Sequence, residues 1–290
     1  MYWWYTRTDC VADIQMERLG NQRWLRIQRP PDQIWDKVKS FWTESGFVLV
    51  QDNAQLGLME TEWAENRAKI PQDIVRRTLG KVFDSLFSTS ERDKFRIRLD
   101  RIDANTTEIF VTHRGMEVVY SVADRSQTRW QPRASDPSLE IEMMRRLMVK
   151  LGSSEMVADQ AAASAEAAAA KPRVAWTPGQ TALSFPDRFD VAWRRISLAL
   201  DRTGFTVEDR DRKAGLFYVR FVDRPADDQE PGFFAKLFSS KSTQPPVRMR
   251  IAVQEVAAGA TSITIQNESG QPDSGVIAQK IARLIFDELK

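Results

Sequence analysis

Residues 25–63 read LRIQRPPDQIWDKVKSFWTESGFVLVQDNAQLGLMETEW, and residues 183–221 read LSFPDRFDVAWRRISLALDRTGFTVEDRDRKAGLFYVRF. Their landmarks keep one offset: 193 − 35, 204 − 46 and 215 − 57 each give 158, which aligns Trp35 with Trp193, Gly46 with Gly204 and Gly57 with Gly215. One fold present twice is the first inference.

Within the first copy, Leu25 and Ile27 alternate with Arg26 and Gln28, which predicts a short strand over 24–29. Pro30-Pro31 then opens a helix whose Pro31, Trp35, Val38 and Trp42 share one face. Gly46 tolerates the left-handed conformation that ends a helix, and Phe47–Val50 resumes as an apolar strand. Asp52–Gln55 makes a turn, and Leu58–Trp63 is a second strand entered at Gly57. The second copy repeats each event: Phe189, Trp193, Ile196 and Leu200 form the stripe, Gly204 stops it, and Phe205–Val207 and Leu216–Phe221 are strands. Trp35 and Trp193 therefore read as core aromatics, not as ligand-stacking rings.

An insertion with a helical pattern follows each copy. In the first, Ile70, Ile74, Val75, Leu79, Val82, Phe83, Leu86 and Phe87 lie opposite Arg76, Arg77, Lys81 and Asp84; the second is shorter, Phe233-Phe234-Ala235-Lys236-Leu237-Phe238 after Pro231-Gly232. Either each insertion folds back over its own sheet, or it offers an apolar surface to a partner protein or a membrane interface. On the second reading the candidate partner-binding residues are Val82, Phe83, Leu86, Phe87, Phe233, Phe234, Leu237 and Phe238.

Two more strands come next. Phe95, Ile97 and Leu99 alternate with Arg96, Arg98 and Asp100, and Met249 and Ile251 alternate with Arg248, Arg250 and Ala252; Ile109–Thr112 and Ile263–Ile265 are their partners, with turns at Asn105 and Gly259. The arginines are expected on a solvated sheet face, in preference to a phosphate-binding patch. Each copy closes with a helix: Asp136 as N-cap before Pro137, with Leu139, Met143, Leu147 and Leu151 inward, and Ser274 followed by Ile277, Ile281, Leu284 and Ile285. The order β-α-β-β-β-β-α, twice, predicts an α+β fold with helices on one face of an antiparallel sheet. Expected boundaries are an irregular segment over 1–20, a first domain over 21–152, an alanine-rich helical linker over 153–175 and a second domain over 176–290. Alanines favour helix but give little apolar surface, so the linker is expected to be a semi-rigid tether between domains that move relative to each other.

Composition narrows the chemistry. A chain of 290 residues with 42% hydrophobic content can build two cores, and a formal net charge of +2 gives little general attraction to nucleic acid. Cys10 and His113 are the sole residues of their types, which excludes an internal disulfide and the usual Cys/His zinc sets within one chain. No Gly-x-Ser-x-Gly elbow or Walker-type loop is present, and Asp32, Asp190, Glu60 and Glu62 fall where capping or solvation accounts for them. No catalytic, cofactor-binding or metal residue is assigned, and the sequence argues for binding or scaffolding. No apolar run is long enough for a transmembrane helix. MYWWYTRTDC has neither a signal-peptide h-region nor a lipobox before Cys10, so either the protein is cytosolic or its true N-terminus differs.

The repeat units, the alanine-rich tether and the stretch LGLMETEWAENRAKIP (residues 56–71) resemble the BamC (NlpB) lipoprotein family of the outer-membrane β-barrel assembly machinery of Gram-negative bacteria. The match runs from Ile14 to the C-terminus, and its most specific part is Leu58, Thr61 and Trp63 followed by Ala64-Glu65-Asn66-Arg67. The resemblance implies two tandem helix-grip domains and a non-catalytic accessory subunit acting through protein–protein contacts. It implies other subunits of the assembly complex as partners, BamD through an irregular N-terminal segment, and an outer-membrane location through a lipid anchor, with soluble domains in the periplasm or at the surface. This sequence departs from the pattern at its start: Cys10 is not expected to be a lipid site, and the docking segment and anchor are expected to be largely absent from it. An alternative is a module that binds a lipid, peptide or other small ligand in the groove between closing helix and sheet. A third, a saddle on DNA, is disfavoured by the charge balance, and no nucleic-acid partner is expected.

Overall fold

A computed structural model describes residues 13–19, 22–64, 91–120, 128–166, 174–203, 205–221 and 247–289. The chain divides into two units, one from residues 1–117 with 132–169, the other from 118–131 with 170–290. The first sheet and its helices comprise β1 (Ile14–Leu19), β2 (Gln22–Ile27), α1 (Pro31–Glu44), β3 (Leu49–Asn53), β4 (Leu58–Thr61), β5 (Glu91–Arg101), β6 (Thr107–Tyr120), β7 (Thr128–Arg133), α2 (Pro137–Leu151) and α3 (Glu155–Glu166). The second set comprises β8 (Ala175–Trp176), β9 (Ala182–Phe185), α4 (Phe189–Thr203), β10 (Thr206–Asp211), β11 (Leu216–Phe221), β12 (Val247–Ala257), β13 (Ala260–Gln266) and α5 (Val276–Leu289).

Strand order shows the duplication directly. The first sheet runs β1-β2-β6-β5-β4-β3 with β7 added against β6, and the second runs β8-β9-β13-β12-β11-β10. Each therefore has the expected β-α-β-β-β-β-α core, with two further strands in the first sheet (β1 and β7) and one in the second (β8) that the sequence pattern did not announce. The α+β class with antiparallel strands is borne out.

The helices form where the sequence placed them. α1 begins at Pro31 and buries Ile34, Trp35, Val38, Phe41 and Trp42. Gly46, at φ +88°, turns the chain so that the Phe47 amide donates to the Trp42 carbonyl at 3.0 Å. Trp42 then meets Phe47 and Phe95 at 5.4 and 5.2 Å between ring centroids. In the second copy Trp193 fills the same layer, stacked on Phe217 at 3.9 Å and 19°. The Asp136 carboxylate caps α2 by accepting from the amides of Ser138 and Leu139, as its sequence position predicts. The stop expected at Gly204 lies outside the described residues.

Three expectations are corrected. Residues 14–19, read as part of an irregular segment, form β1, paired with β2 from Ile14↔Ile27 to Leu19↔Gln22. The alanine-rich stretch over 155–166 does pack: Ala158, Ala162 and Ala165 are buried, the latter two against Ile141 and Met16, and Arg23 Nε donates to the Ala165 carbonyl at 2.7 Å. Alanine gives little area per residue, but a stripe of methyls lets α3 approach α2 closely, and dispersion recovers what the small side chains lack. The third correction concerns the arginines of the first sheet. Arg96 and Arg98 are buried, Arg98 with only 1% of its side chain exposed, so this face of the sheet is not solvated.

Candidate functional site

Both insertions rise from the same hairpin of the repeat. The first leaves after Ala64, which bridges to Asp93, and returns into β5; the second leaves after Phe221, which pairs with Val247 at the start of β12. The stem aromatics are held by cations: Trp63 lies 5.8 Å from Lys94 Nζ and 5.9 Å from the Arg114 guanidinium, and Phe221 lies 5.9 Å from Lys280 Nζ. The candidate partner-binding residues Val82, Phe83, Leu86, Phe87, Phe233, Phe234, Leu237 and Phe238 lie outside the described residues.

Next to the first stem, the outer face of the sheet holds a buried ionic lattice. Glu60 on β4 accepts from Arg96 Nε at 2.7 Å and pairs with Lys94, both on β5. Burial pushes the Glu60 carboxyl up, but Arg96 and Lys94 outweigh it and hold the group below the ordinary glutamate value of 4.5. Arg98 pairs with Asp100 and lies 4.2 Å over the Phe110 ring, which itself stacks on Trp24. Glu60, expected on an exposed strand position, is therefore a buried partner of two cations. The signal that could have revealed this is the phase of the aromatics: Trp24 and Phe110 share the parity of Arg98 and are buried with it.

His113 sits at the same end of β5 and β6, opposite Phe95 and on the inner face, wholly buried. Its Nδ1 accepts from the Asp136 amide at 2.9 Å, which leaves Nε2 to donate to Asp93 Oδ1 at 2.7 Å. Arg133 on β7 also pairs with Asp93, the His113 amide donates to Glu140 Oε1 at 2.9 Å, and Ser135 Oγ donates to the His113 carbonyl at 2.8 Å. The first turn of α2 is thereby fastened to the sheet. Both ring nitrogens are engaged in this fastening, and the geometry accounts for the imidazole without a reaction. The sequence marked His113 as the sole imidazole but did not reveal Asp93 and Glu140, whose contacts with it span 20 and 27 positions, or Arg133, which meets Asp93 across 40.

Among the described residues, the outer face of the second sheet is more exposed than that of the first. Arg220 and Arg248 face each other across β11 and β12, with 43% and 61% of their side chains exposed; Arg248 is solvated as the sequence pattern predicts, whereas Arg250, expected beside it, is half-buried. Each contacts Glu208, at 3.4 and 3.3 Å. The space between helices and sheet is filled by each domain's own side chains: Met143, Leu147 and Phe95 in the first, Trp193, Phe217, Ile281 and Ile285 in the second. The ligand-groove alternative finds no support there. Among the described residues no helix is long and apolar enough to cross a membrane, and no group of three or more His, Cys, Asp or Glu side chains is placed to hold a metal.

Comparison with known proteins gives a consistent answer. Residues 10–165 match the model of the outer membrane protein assembly factor BamC-like N-terminal domain, and residues 174–289 match that of the BamC-like C-terminal domain. The chain is 48% identical over 298 residues to the outer membrane protein assembly factor BamC of Accumulibacter regalis, covering 98% of this chain and 77% of the relative. It is 44% identical to the protein of the same name from Thiobacillus denitrificans, covering 95% and 76%. It is also 36% identical to an uncharacterized protein of Neisseria meningitidis serogroup B, covering 97% and 72%.

Proposed function

Because the chain belongs to the BamC family of outer membrane protein assembly factors, we propose that it is a non-catalytic accessory subunit of the β-barrel assembly complex, acting through protein–protein contacts. The observation that carries this reading is the pair of family matches, which together take in both copies of the fold. The family places the protein at the cell outer membrane. Its anchor there is a lipid on the native precursor, and its nearest partner in the complex is BamD, reached through a segment N-terminal to the first sheet.

The insertions are the second contact. Their apolar residues Val82, Phe83, Leu86, Phe87, Phe233, Phe234, Leu237 and Phe238 follow directly on stems fixed at equivalent hairpins, which favours a surface presented in the same way by both copies. A non-catalytic role is supported by the structural employment of both ring nitrogens of His113.

Photo-cross-linkers at Phe83, Phe87, Phe233 and Phe238 of the full-length precursor, activated in intact cells, test this reading. Adducts with assembly-complex subunits are expected. Recovery of the precursor from membranes without any such subunit, cross-linked or co-purified, overturns it.

A further inference from the structure

The two copies can be superposed residue by residue on their outer faces. The Leu99 amide donates to the Gly57 carbonyl at 2.8 Å, and the Val253 amide donates to the Gly215 carbonyl at 2.8 Å, so Leu99 corresponds to Val253. On β4 and β11 the offset is 158, as for Gly57 and Gly215; on β5 and β12 it is 253 − 99 = 154. Glu60, Glu62, Lys94 and Arg96 therefore correspond to Tyr218, Arg220, Arg248 and Arg250. The registers agree, with Glu60 opposite Arg96 and Tyr218 opposite Arg250.

These four positions change sign. In the first copy two carboxylates and two cations sum to zero, and the Glu60 carboxylate bridges Lys94 and Arg96 in a buried setting. In the second copy Tyr218 replaces the bridging carboxylate and Arg220 replaces Glu62, so the same positions carry three arginines. Arg220 and Arg248 lie directly opposite each other, a like-charge pairing that costs a sheet stability unless an anion intervenes. Glu208 supplies one carboxylate, shared between them at 3.4 and 3.3 Å, and Glu268 approaches Arg248 at 3.7 Å; Asp209, opposite Tyr218, adds a further negative charge at the sheet edge. Arg250 lies 5.4 Å over Tyr218, and its Nε is buried without a hydrogen-bond partner.

We infer that the outer face of the second sheet, centred on Arg220, Arg248, Arg250 and Tyr218, docks an acidic segment of a partner protein. A carboxylate of the partner pairs with the exposed guanidiniums of Arg220 and Arg248 beside Tyr218. A guanidinium offers a carboxylate two parallel donors, and a half-buried Tyr among arginines is the composition of an interface centre. The assignment rests on the chain's own two copies and is independent of the family reading.

The test uses the full chain and a synthetic decapeptide of alternating Glu and Thr, with a Gln-Thr peptide as control. Nuclear magnetic resonance follows the Nε–Hε signals of the arginines. Glu-Thr is expected to shift Arg220, Arg248 and Arg250 selectively, leaving the exposed Arg212 and Arg283 unmoved. The double variant Arg220→Gln/Arg248→Gln is expected to weaken binding at least tenfold, as is raising the salt from about 0.05 to 0.5 M. Three outcomes overturn the inference: no shift with Glu-Thr, equal shifts with Gln-Thr or at every exposed arginine, or shifts given by phosphatidylglycerol vesicles and not by the peptide.

Discussion

The carbonyl of Gly57 accepts the amide of Leu99 at 2.8 Å, and Gly57 holds φ +62°, with its Cα pressed against the Leu99 carbonyl oxygen so closely that a Cβ there would overlap it. Gly215 stands in the same relation to Val253, at φ +70°. Only glycine meets both demands, a left-handed backbone and room for a neighbouring strand. Gly57→Ala and Gly215→Ala are each expected to destabilise their own domain by about 3 kcal/mol, combining backbone strain with a forced shift of the adjacent strand. Gly259→Ala, at φ +77° with open space around it, is the control and should cost about 1 kcal/mol. Urea unfolding of the three variants checks the ranking.

Glu60 gives a pH-dependent prediction. Its carboxyl is pushed up by burial and held down more strongly by Arg96 and Lys94, so its folded value lies below 4.5. A depressed carboxylate contributes stability above its unfolded value and loses it as pH falls through the folded one. Glu60→Gln should therefore cost about 3 kcal/mol at pH 7, where it leaves two buried cations without their anion. The gap from the unmodified protein should narrow steadily below about pH 4.5. Denaturant midpoints between pH 7 and 3 measure it, and a gap that is constant across the range contradicts the assignment.

His113→Ala removes the acceptor of the Asp136 amide and the donor to Asp93 in one step. Losing both bonds, with the Asp136 amide left unsatisfied and Asp93 keeping only Arg133, is expected to cost about 3 kcal/mol. Hydrogen exchange should show the loss first in residues 136–140, because the bond at Asp136 fixes the start of α2. Assembly activity normalised to folded protein should be unchanged.

Ala162→Leu tests how α3 is held. The residue is buried against Ile141, and extra bulk there forces the two helices apart at a cost of about 2 kcal/mol. Faster amide exchange over 155–166, with the sheet amides unaffected, is the expected signature.

How much of this was legible in the sequence follows from the range of each signal. Helices α1, α2 and α4 were readable because Trp35, Trp193, Leu139 and their neighbours recur at helical spacing within a single element. The strands were readable from alternation, yet their faces were not. Alternation in ERDKFRIRLD separates two faces without saying which is wet, and burial of Arg98 depends on partners such as Phe110 from another strand. Strands β1 and β7 carry weak apolar patterns and exist because a neighbour supplies the ladder. The ionic partners of Asp93 required strands β5, β6 and β7 to converge, which no local pattern encodes. The candidate residues on the insertions were found by amphipathic spacing alone, and that signal speaks to apolarity, not to the identity of what it meets.

The sheets' outer edges share one more feature. The β3–β4 register slips between Leu49 and Gln51, and the β10–β11 register slips between Val207 and Asp209. The offset is again 158, so the irregularity was present before the copies diverged or arose twice at the same place. A straight edge would template growth by strand addition; a kinked one frustrates it. At this edge of each sheet the slipped register therefore works against the docking of an added strand, in both copies alike.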